Sequence, residues 1–197
     1  TVDCGIAAHD EIAFARQLGI DVVVTDHHPP APELPEAHAI VNPACPGGTY
    51  PREHLSGTGV AWKLIQALFA RGGFPHREGW EKWFLDLVAI ATIADMMPLR
   101  GENRMLVHHG LEVLRGTRIM GLRVLAKALR LSLAYVTEDD VSFSIAPALN
   151  VAGRMEHADI AFELLTTSDS DSARRAVMQL IALKDDRKRE VGLILDA

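Results

Sequence analysis

The first fifty residues alternate between short apolar runs and segments with helical periodicity. Residues 10–18 (DEIAFARQL) carry apolar side chains at helical spacing, and Gly19 follows as the expected end of a helix. The β-branched run at 21–25 (DVVVT) is typical of a buried parallel strand, and Val2-Asp3 and residues 39–41 predict two more strands. This order of elements predicts an α/β fold that opens with a parallel-sheet βαβ unit.

From Ser56 onward the apolar positions recur at helical spacing, which predicts a mostly helical second part. Thr137 is a plausible N-cap within it. The strongly apolar segment that starts at Trp80 and includes Trp83 is expected to be one helix, buried on most sides. The expected helices cover residues 60–70, 80–94, 103–114, 122–129, 138–144, 158–165 and 172–196.

Composition excludes several classes of protein. A chain of 197 residues with 48% apolar residues can bury a real core, so disorder is excluded. The longest apolar stretch, residues 85–94, is interrupted by Asp86 and is too short to span a bilayer, so no membrane partner is expected. Cys4 and Cys45 form no disulfide framework, which fits a reducing cytoplasm. The net charge of −6 argues weakly against nucleic acid, but bound divalent ions invert a local field, so that partner stays open.

Acidic and imidazole side chains follow the expected strands where these strands end. Asp3 ends one strand, and Asp26, His27 and His28 end the next, in TDHH. Carboxyl ends of parallel strands share one edge of a sheet, so we expect Asp3 and His27 on the same rim. Carboxylate and imidazole without thiolate favour Mn²⁺ or Mg²⁺ over structural zinc. Asp95, after the most apolar helix, is a further candidate, although a surface turn explains it equally well.

Five motifs in a fixed order make the pattern specific: VDCG, TDHH, SGTGVAWKL, ATIADMMPL followed by ENRMLV, and APALNVAGRMEHA. Together they resemble the DHH phosphoesterase superfamily, most closely its bacterial RecJ-type exonucleases. The resemblance implies two Mn²⁺ or Mg²⁺ ions, with Asp3 as the bridging ligand and His27 and Asp95 as further ligands. It also implies that His28 contacts the scissile phosphate, so that Asp3, His28 and Asp95 are the expected catalytic residues.

Further residues are candidates for binding a substrate phosphate. The resemblance implies this role for Asn150 and Arg154 in NVAGR, although Arg154 would equally suit a surface pair with Glu156. Ala148 stands where these exonucleases commonly carry Arg. Ser56 and Gly57 open a helix whose backbone N–H groups can receive a phosphate, but such small residues are as often simple loop residues.

The function that the resemblance implies is a 5′→3′ exonuclease acting on single-stranded DNA by two-metal phosphodiester hydrolysis. A role in DNA repair and recombination goes with it, and a single-strand-binding protein or a helicase is a candidate partner. The alternatives are a DHH phosphodiesterase for short oligonucleotides or cyclic dinucleotides, a pyrophosphatase, and a non-catalytic scaffold that binds nucleic acid.

The family also has metal ligands upstream of VDCG and a second, substrate-binding domain downstream of a long helix. Residues 1–197 are therefore expected to be one truncated DHH catalytic domain that is inactive alone. Its expected parts are an α/β metal-site part (1–55), a helical part (56–171) and a connector helix toward the second domain (172–197).

Overall fold

The computed structural model describes residues 1–48, 50, 54–155 and 157–195, with side chains as far as residue 191. The chain forms two compact units, Thr1–Gly110 and Leu111–Ala197. The boundary falls within one helix, α4 (Gly101–Arg115). The division into three parts that we expected from the sequence stays a prediction.

A small parallel sheet organises the first unit. Strand β1 (Val23–Thr25) pairs in parallel with β2 (Ala39–Val41), and Val2 forms a parallel bridge to Thr25. Helix α1 (His9–Gln17) connects the Val2 segment to β1, and Val24 in the middle of β1 is fully buried. The α/β fold with an amino-terminal βαβ unit is therefore confirmed.

Two helices complete the part of the first unit that carries the candidate site. Helix α2 (Gly57–Arg71) packs against β1 and against α3 (Leu85–Ala94), which is buried on most sides. The expected single helix from residue 80 to 94 is wrong in its first turn. Residues Trp80–Phe84 form a 3₁₀ turn, in which Trp80 and Trp83 remain 48% and 40% exposed. Only the residues from Leu85 onward lie in the core, where α3 meets α2.

The second unit is built around the longest helix, α9 (Ser170–Leu195), which packs against α5, α7 and α8. Its buried residues, Ala173, Ala176, Val177 and Leu180, recur at helical spacing and form one apolar stripe. Thr137 caps the short helix α6 in a complete capping box with Asp140, as its sequence position predicts. The other helices of this unit are α5 (Met120–Ala128), α6 (Glu138–Asp140), α7 (Ala146–Met155) and α8 (Asp159–Thr166).

Helix α7 carries the NVAGR motif, and no helix was expected there. Residues Val141–Ile145 form a π-helical turn that leads directly into α7. Pro147 has no N–H to donate to the preceding turn, and its ring would crowd the carbonyl four residues back. The π turn widens the helix at this point, so the helix continues past the proline. Within the described part of the chain, no helix is long and apolar enough to cross a membrane.

Candidate metal centre

Asp3 reaches the site through an unusual backbone conformation. Its N–H donates to the carbonyl of Thr25 at 2.9 Å, and its φ of +60° lies in the left-handed region, which aspartate tolerates better than most residues. Its side chain lies against the first residue of α2, Gly57. A Cβ atom added at Gly57 would overlap the Asp3 carboxylate and lie 2.6 Å from its Cβ. Gly57 therefore provides the space that the Asp3 carboxylate occupies.

Asp26 fixes the DHH segment, residues 26–28, by binding the backbone of the two histidines that follow it. Its side chain is buried, Oδ2 accepts a hydrogen bond from Ile6 N at 3.0 Å, and Oδ1 accepts from His27 N at 2.7 Å and His28 N at 3.2 Å. Burial raises the pKa of Asp26, but the hydrogen bonds from Ile6, His28 and His27 outweigh it and lower the pKa below its usual range. Both oxygens are thus engaged, and Asp26 orients the two histidines.

The two adjacent histidines face different partners. His27 is buried, and its Nε2 lies 3.0 Å from Oδ1 of Asp3. His28 is exposed, and its Nδ1 lies 2.7 Å from Oδ1 of Asp26. The hydrogen bond to Asp26 raises the pKa of His28 against the effect of burial, and the charges of Asp26, Asp3 and Asp95 add to this. The rings lie 4.4 Å apart between centroids.

Asp95 is placed by the way α3 ends. The N–H of Met96 donates to Ile93 O at 3.0 Å and that of Met97 to Thr92 O at 3.1 Å, a Schellman arrangement with Met96 at φ +52°. Partial burial of its carboxyl group raises the pKa of Asp95, and the negative charge of Asp3 raises it further, against the opposite effect of the two histidines. Two carboxylates therefore repel each other here, a situation that a bound cation relieves.

One cavity of about 360 Å³ is lined by all four residues that we expected to hold metal or do chemistry. The cavity also takes in His54 and Met97, which sequence reasoning missed. Possible ligand atoms of Asp3, His27 and His28 lie within 4.8 Å of one another, close enough to share an ion. Carboxylate and imidazole donors suit a hard or borderline divalent cation. The residues lining the cavity are Asp3, His27, His28, Pro29, His54, Asp95 and Met97.

The residues expected to bind phosphate divide between the two units. Ser56 is fully buried as the N-cap of α2, where its Oγ accepts from Gly59 N and lies 3.2 Å from Thr92 Oγ1. Asn150 and Arg154 are exposed on α7 of the second unit. A phosphate contact by Ser56, Gly57, Asn150 or Arg154 stays a prediction.

Two further expectations concern the neighbours of the NVAGR motif. Ala148 is fully buried, so this position presents no side chain to a substrate at the surface. The alternative pairing of Arg154 with Glu156 falls outside the described residues, because Glu156 is not among them.

Comparison with known proteins agrees with the motif order. The N-terminal domain of the DHH family matches residues 1–92. This part of the chain is a DHH-family N-terminal domain. Over its full length the DHH chain is 45% identical to the single-stranded-DNA-specific exonuclease RecJ of Bacillus subtilis and 35% identical to that of Escherichia coli. It covers 24% and 36% of these relatives, so it spans about a quarter to a third of their length.

Solved structures give the same assignment for the DHH chain. It superposes along its whole length on 29% of the crystal structure of Thermus thermophilus RecJ in complex with Mn²⁺, with a TM-score of 0.88 and 37% identity. A second structure of that protein, in complex with Mg²⁺, matches with a TM-score of 0.75 and 33% identity over 27% of its length. The resemblance to RecJ-type members of the DHH family, inferred from five motifs, is confirmed.

Proposed function

We propose that this DHH chain is part of a metal-dependent exonuclease that hydrolyses single-stranded DNA. The observation that carries the proposal is the convergence of Asp3, His27, His28 and Asp95 on one cavity at the carboxyl edge of the sheet. The names of the relatives, which are exonucleases specific for single-stranded DNA, support the choice of substrate. The 5′→3′ polarity and a role in DNA repair and recombination belong to the same proposal.

Asp3, His27 and Asp95 would hold Mn²⁺ or Mg²⁺, with Asp3 as the shared ligand. When bound, such ions activate water and neutralise charge on the phosphodiester. The crystal structures of Thermus thermophilus RecJ in complex with Mn²⁺ and with Mg²⁺ support the choice of ions. His27 is already held at 3.0 Å from Asp3, so these two donors need little rearrangement.

His28 would face the substrate. Its Nδ1 donates to Asp26, which leaves Nε2 as the ring nitrogen that faces a substrate, and Nε2 donates to a phosphate oxygen when the ring is protonated. This division of work lets one backbone segment bind metal through His27 and substrate through His28. Asp26 holds the backbone N–H groups of both histidines and the ring of His28 through three contacts.

Arg154 and Asn150 would bind a substrate phosphate from α7. A guanidinium group binds two phosphate oxygens at once, which an ammonium group cannot do. In the cell, a single-strand-binding protein or a helicase would deliver the DNA, and the location would be the cytoplasm.

Replacing Asp3 with Asn in the full-length protein, meaning one as long as its relatives, tests this proposal. Asparagine keeps the shape of the side chain but removes the shared anionic ligand, so Mn²⁺-dependent cleavage of 5′-labelled single-stranded DNA should fall at least about 1,000-fold. Circular dichroism should show an unchanged fold. Cleavage by the variant at a rate near that of the wild type would remove Asp3 from the site. Turnover of a cyclic dinucleotide but not of DNA would favour the phosphodiesterase alternative.

Arg154→Lys tests the substrate contact separately. The loss of the two-pronged contact should lower kcat/KM by about tenfold or more with an unchanged melting temperature. Arg174→Lys is the matched control, because Arg174 is exposed on α9 and pairs with Asp171 at 3.0 Å. Equal kinetics of the two variants would leave Arg154 without a role in substrate binding.

A further inference from the structure

A second cavity adjoins the candidate metal centre. Its volume is about 480 Å³, and it shares Pro29 and His54 with the metal-centre cavity. The rest of its wall comes from Pro30, from the turn at residues 43–48 and from Tyr50. A group held in this cavity would therefore lie next to whatever the metal centre binds.

The described lining of this cavity is rich in proline and partly aromatic. Among the described residues that line it there is no carboxylate, ammonium or guanidinium group, and four of the ten are prolines. Among the described residues of the lining, a phosphate would find no lysine or arginine. A planar neutral ring, in contrast, packs well against proline rings and an aromatic face such as that of Tyr50. The volume lies within the range of about 300–1,000 Å³ that small-molecule pockets usually have.

The wall of the cavity is tied to the DHH segment by one side chain. Asn42 Oδ1 accepts from Ala44 N at 2.8 Å, and Asn42 Nδ2 donates to the carbonyl of His28 at 3.0 Å. The next turn is closed by Gly48 N, which donates to Cys45 O, with Pro46 and Gly47 (φ +78°) at its central positions, as a type II turn requires. The cavity is thus built in advance at a fixed place relative to His28.

We propose that this cavity is a nucleobase subsite, which holds the base of a nucleotide next to the phosphodiester at the metal centre. The inference rests on the proposed function, and it adds how the enzyme would grip DNA without reading its sequence. Every base has a flat face, so stacking against proline and tyrosine accepts all four. In a nucleotide, one sugar separates the base from its phosphate. The two cavities are adjacent in the same way, because both are lined by Pro29 and His54.

Cys45 offers a test that does not depend on catalysis. It lines the cavity and is half-buried, and Cys4 is the other cysteine of the chain, so Cys4→Ser leaves Cys45 as the single thiol. Burial raises the pKa of the Cys45 thiol, so alkylation by a maleimide is followed at mildly alkaline pH. A deoxynucleoside 5′-monophosphate should slow the alkylation several-fold, whereas deoxyribose 5-phosphate should not. Equal rates with both compounds would overturn the subsite.

A kinetic test in the full-length protein compares single-stranded DNA with an oligonucleotide that lacks the bases flanking the scissile phosphate. The wild type should prefer the substrate with bases by roughly tenfold in kcat/KM. Cys45→Trp fills the cavity and should abolish this preference, while the matched control Cys45→Ser should retain it. In Cys45→Trp, the value of kcat/KM that falls should be the one for the substrate with bases.

The two proposals fail in different ways. Cleavage of both substrates at equal rates by the wild type would overturn the subsite and leave the exonuclease standing. Absence of metal-dependent DNA cleavage altogether would overturn the proposed function. In that case, protection of Cys45 by the nucleotide but not by the sugar phosphate would still support a nucleobase-binding cavity.

Discussion

The centre of the candidate site depends on the Asp3 carboxylate and on Gly57, which has no side chain. Asp3 adopts a left-handed backbone conformation, and its carboxylate fills the space above Gly57 at the start of α2. Strained backbone conformations of this kind cost energy and persist where the surrounding structure holds them. Met96, next to Asp95 in the chain, also has a positive φ, and the third such non-glycine residue described, Arg130, lies in the second unit. Two of these three conformations are therefore found at residues that line the cavity or directly follow one.

Gly57→Ala should displace the Asp3 carboxylate without unfolding the protein. Alanine is favoured over glycine in a helix by about 1 kcal/mol, which offsets part of the steric conflict with Asp3. A displacement of the order of 1 Å costs roughly 100-fold in turnover, so kcat/KM of the full-length enzyme should fall by about that factor. Calorimetry should show weaker Mn²⁺ binding as well.

The matched control for this substitution is Gly59→Ala. A Cβ atom at Gly59 would meet Leu55 and Ser56 at 3.4 Å and would not touch Asp3. This control has the same gain in helix propensity, so it should keep its activity. If Gly57→Ala also keeps full activity and full Mn²⁺ affinity, Gly57 does not position Asp3.

Asp26→Asn should lower stability in a manner that depends on pH. The pKa of Asp26 is lowered in the folded state, so its contribution is present above the ordinary value of 3.8 and is lost as pH falls through the folded-state pKa. The pKa of His28 is raised, so its contribution is present below the ordinary value of 6.5 and is lost as pH rises through the folded-state pKa. The two windows overlap between about pH 4 and 6.5.

The free energy of unfolding of the variant, measured by urea titration in a chelator, should be lower by about 1–3 kcal/mol, with the largest difference in that window. Asp21→Asn is the control, because Asp21 is exposed and also lies near a histidine, His38, at 3.6 Å. It should change stability by less than about 0.5 kcal/mol at any pH. A deficit in Asp26→Asn that does not vary with pH would show that the carboxylate acts by shape alone.

Sequence reasoning placed four of the five carboxylate or imidazole residues that line the cavity, but not the fifth, His54, or the residues that shape the cavity. Asp3, His27 and His28 follow strand ends, and a rule of parallel sheets brings such residues together. The spatial role of Gly57 has no counterpart in local sequence, because it depends on a left-handed residue 54 positions earlier. His54 was overlooked for a similar reason, since it stands alone in a loop before the SGTG motif.

At the level of elements, helix-capping and helix-breaking residues determined which helices could be predicted from the sequence. Strand β2 (Ala39–Val41) and the cap at Thr137 follow from local chemistry and were predicted correctly. Helix α7 was missed because Pro147 and Gly153 both argue against a helix. The π turn at Val141–Ile145, which lets the helix continue past Pro147, has no signature of its own in the sequence.

Thr137→Ala tests the cap on which the α6 to α7 run begins. Its hydroxyl accepts from Asp140 N, and the Asp140 carboxylate accepts from Thr137 N at 3.0 Å. Losing this reciprocal cap should cost about 1 kcal/mol and lower the melting temperature by about 2–4 °C. Ser132 precedes a 3₁₀ turn without a capping hydrogen bond from its side chain, so Ser132→Ala is a matched control that should be neutral. Equal melting temperatures for both variants would contradict the role of the box.

For the whole molecule, we expect the 197-residue chain expressed alone to fold but to cleave no DNA. Both units have buried apolar cores, which supports folding. Three protein ligands hold a divalent ion only loosely, and two-metal hydrolysis needs a complete ligand set. The relatives are about three to four times as long, and the additional part would supply further phosphate contacts. Calorimetry with Mn²⁺ and a nuclease assay would check this, and tight binding of two ions per chain would contradict it.

Helix α9 changes its source of stability along its length. As far as Leu180 it has residues buried in the core, whereas none of residues 181–191 is buried. This second stretch carries both signs of charge, and Arg189 pairs with Asp186 one turn away. Attractions between exposed charges are screened within about 8 Å at physiological ionic strength, whereas apolar packing is not. Added salt should therefore loosen the helix at residues 181–191, while the part up to Leu180 keeps its order. The ionic strength then determines how far α9 extends as a rigid helix.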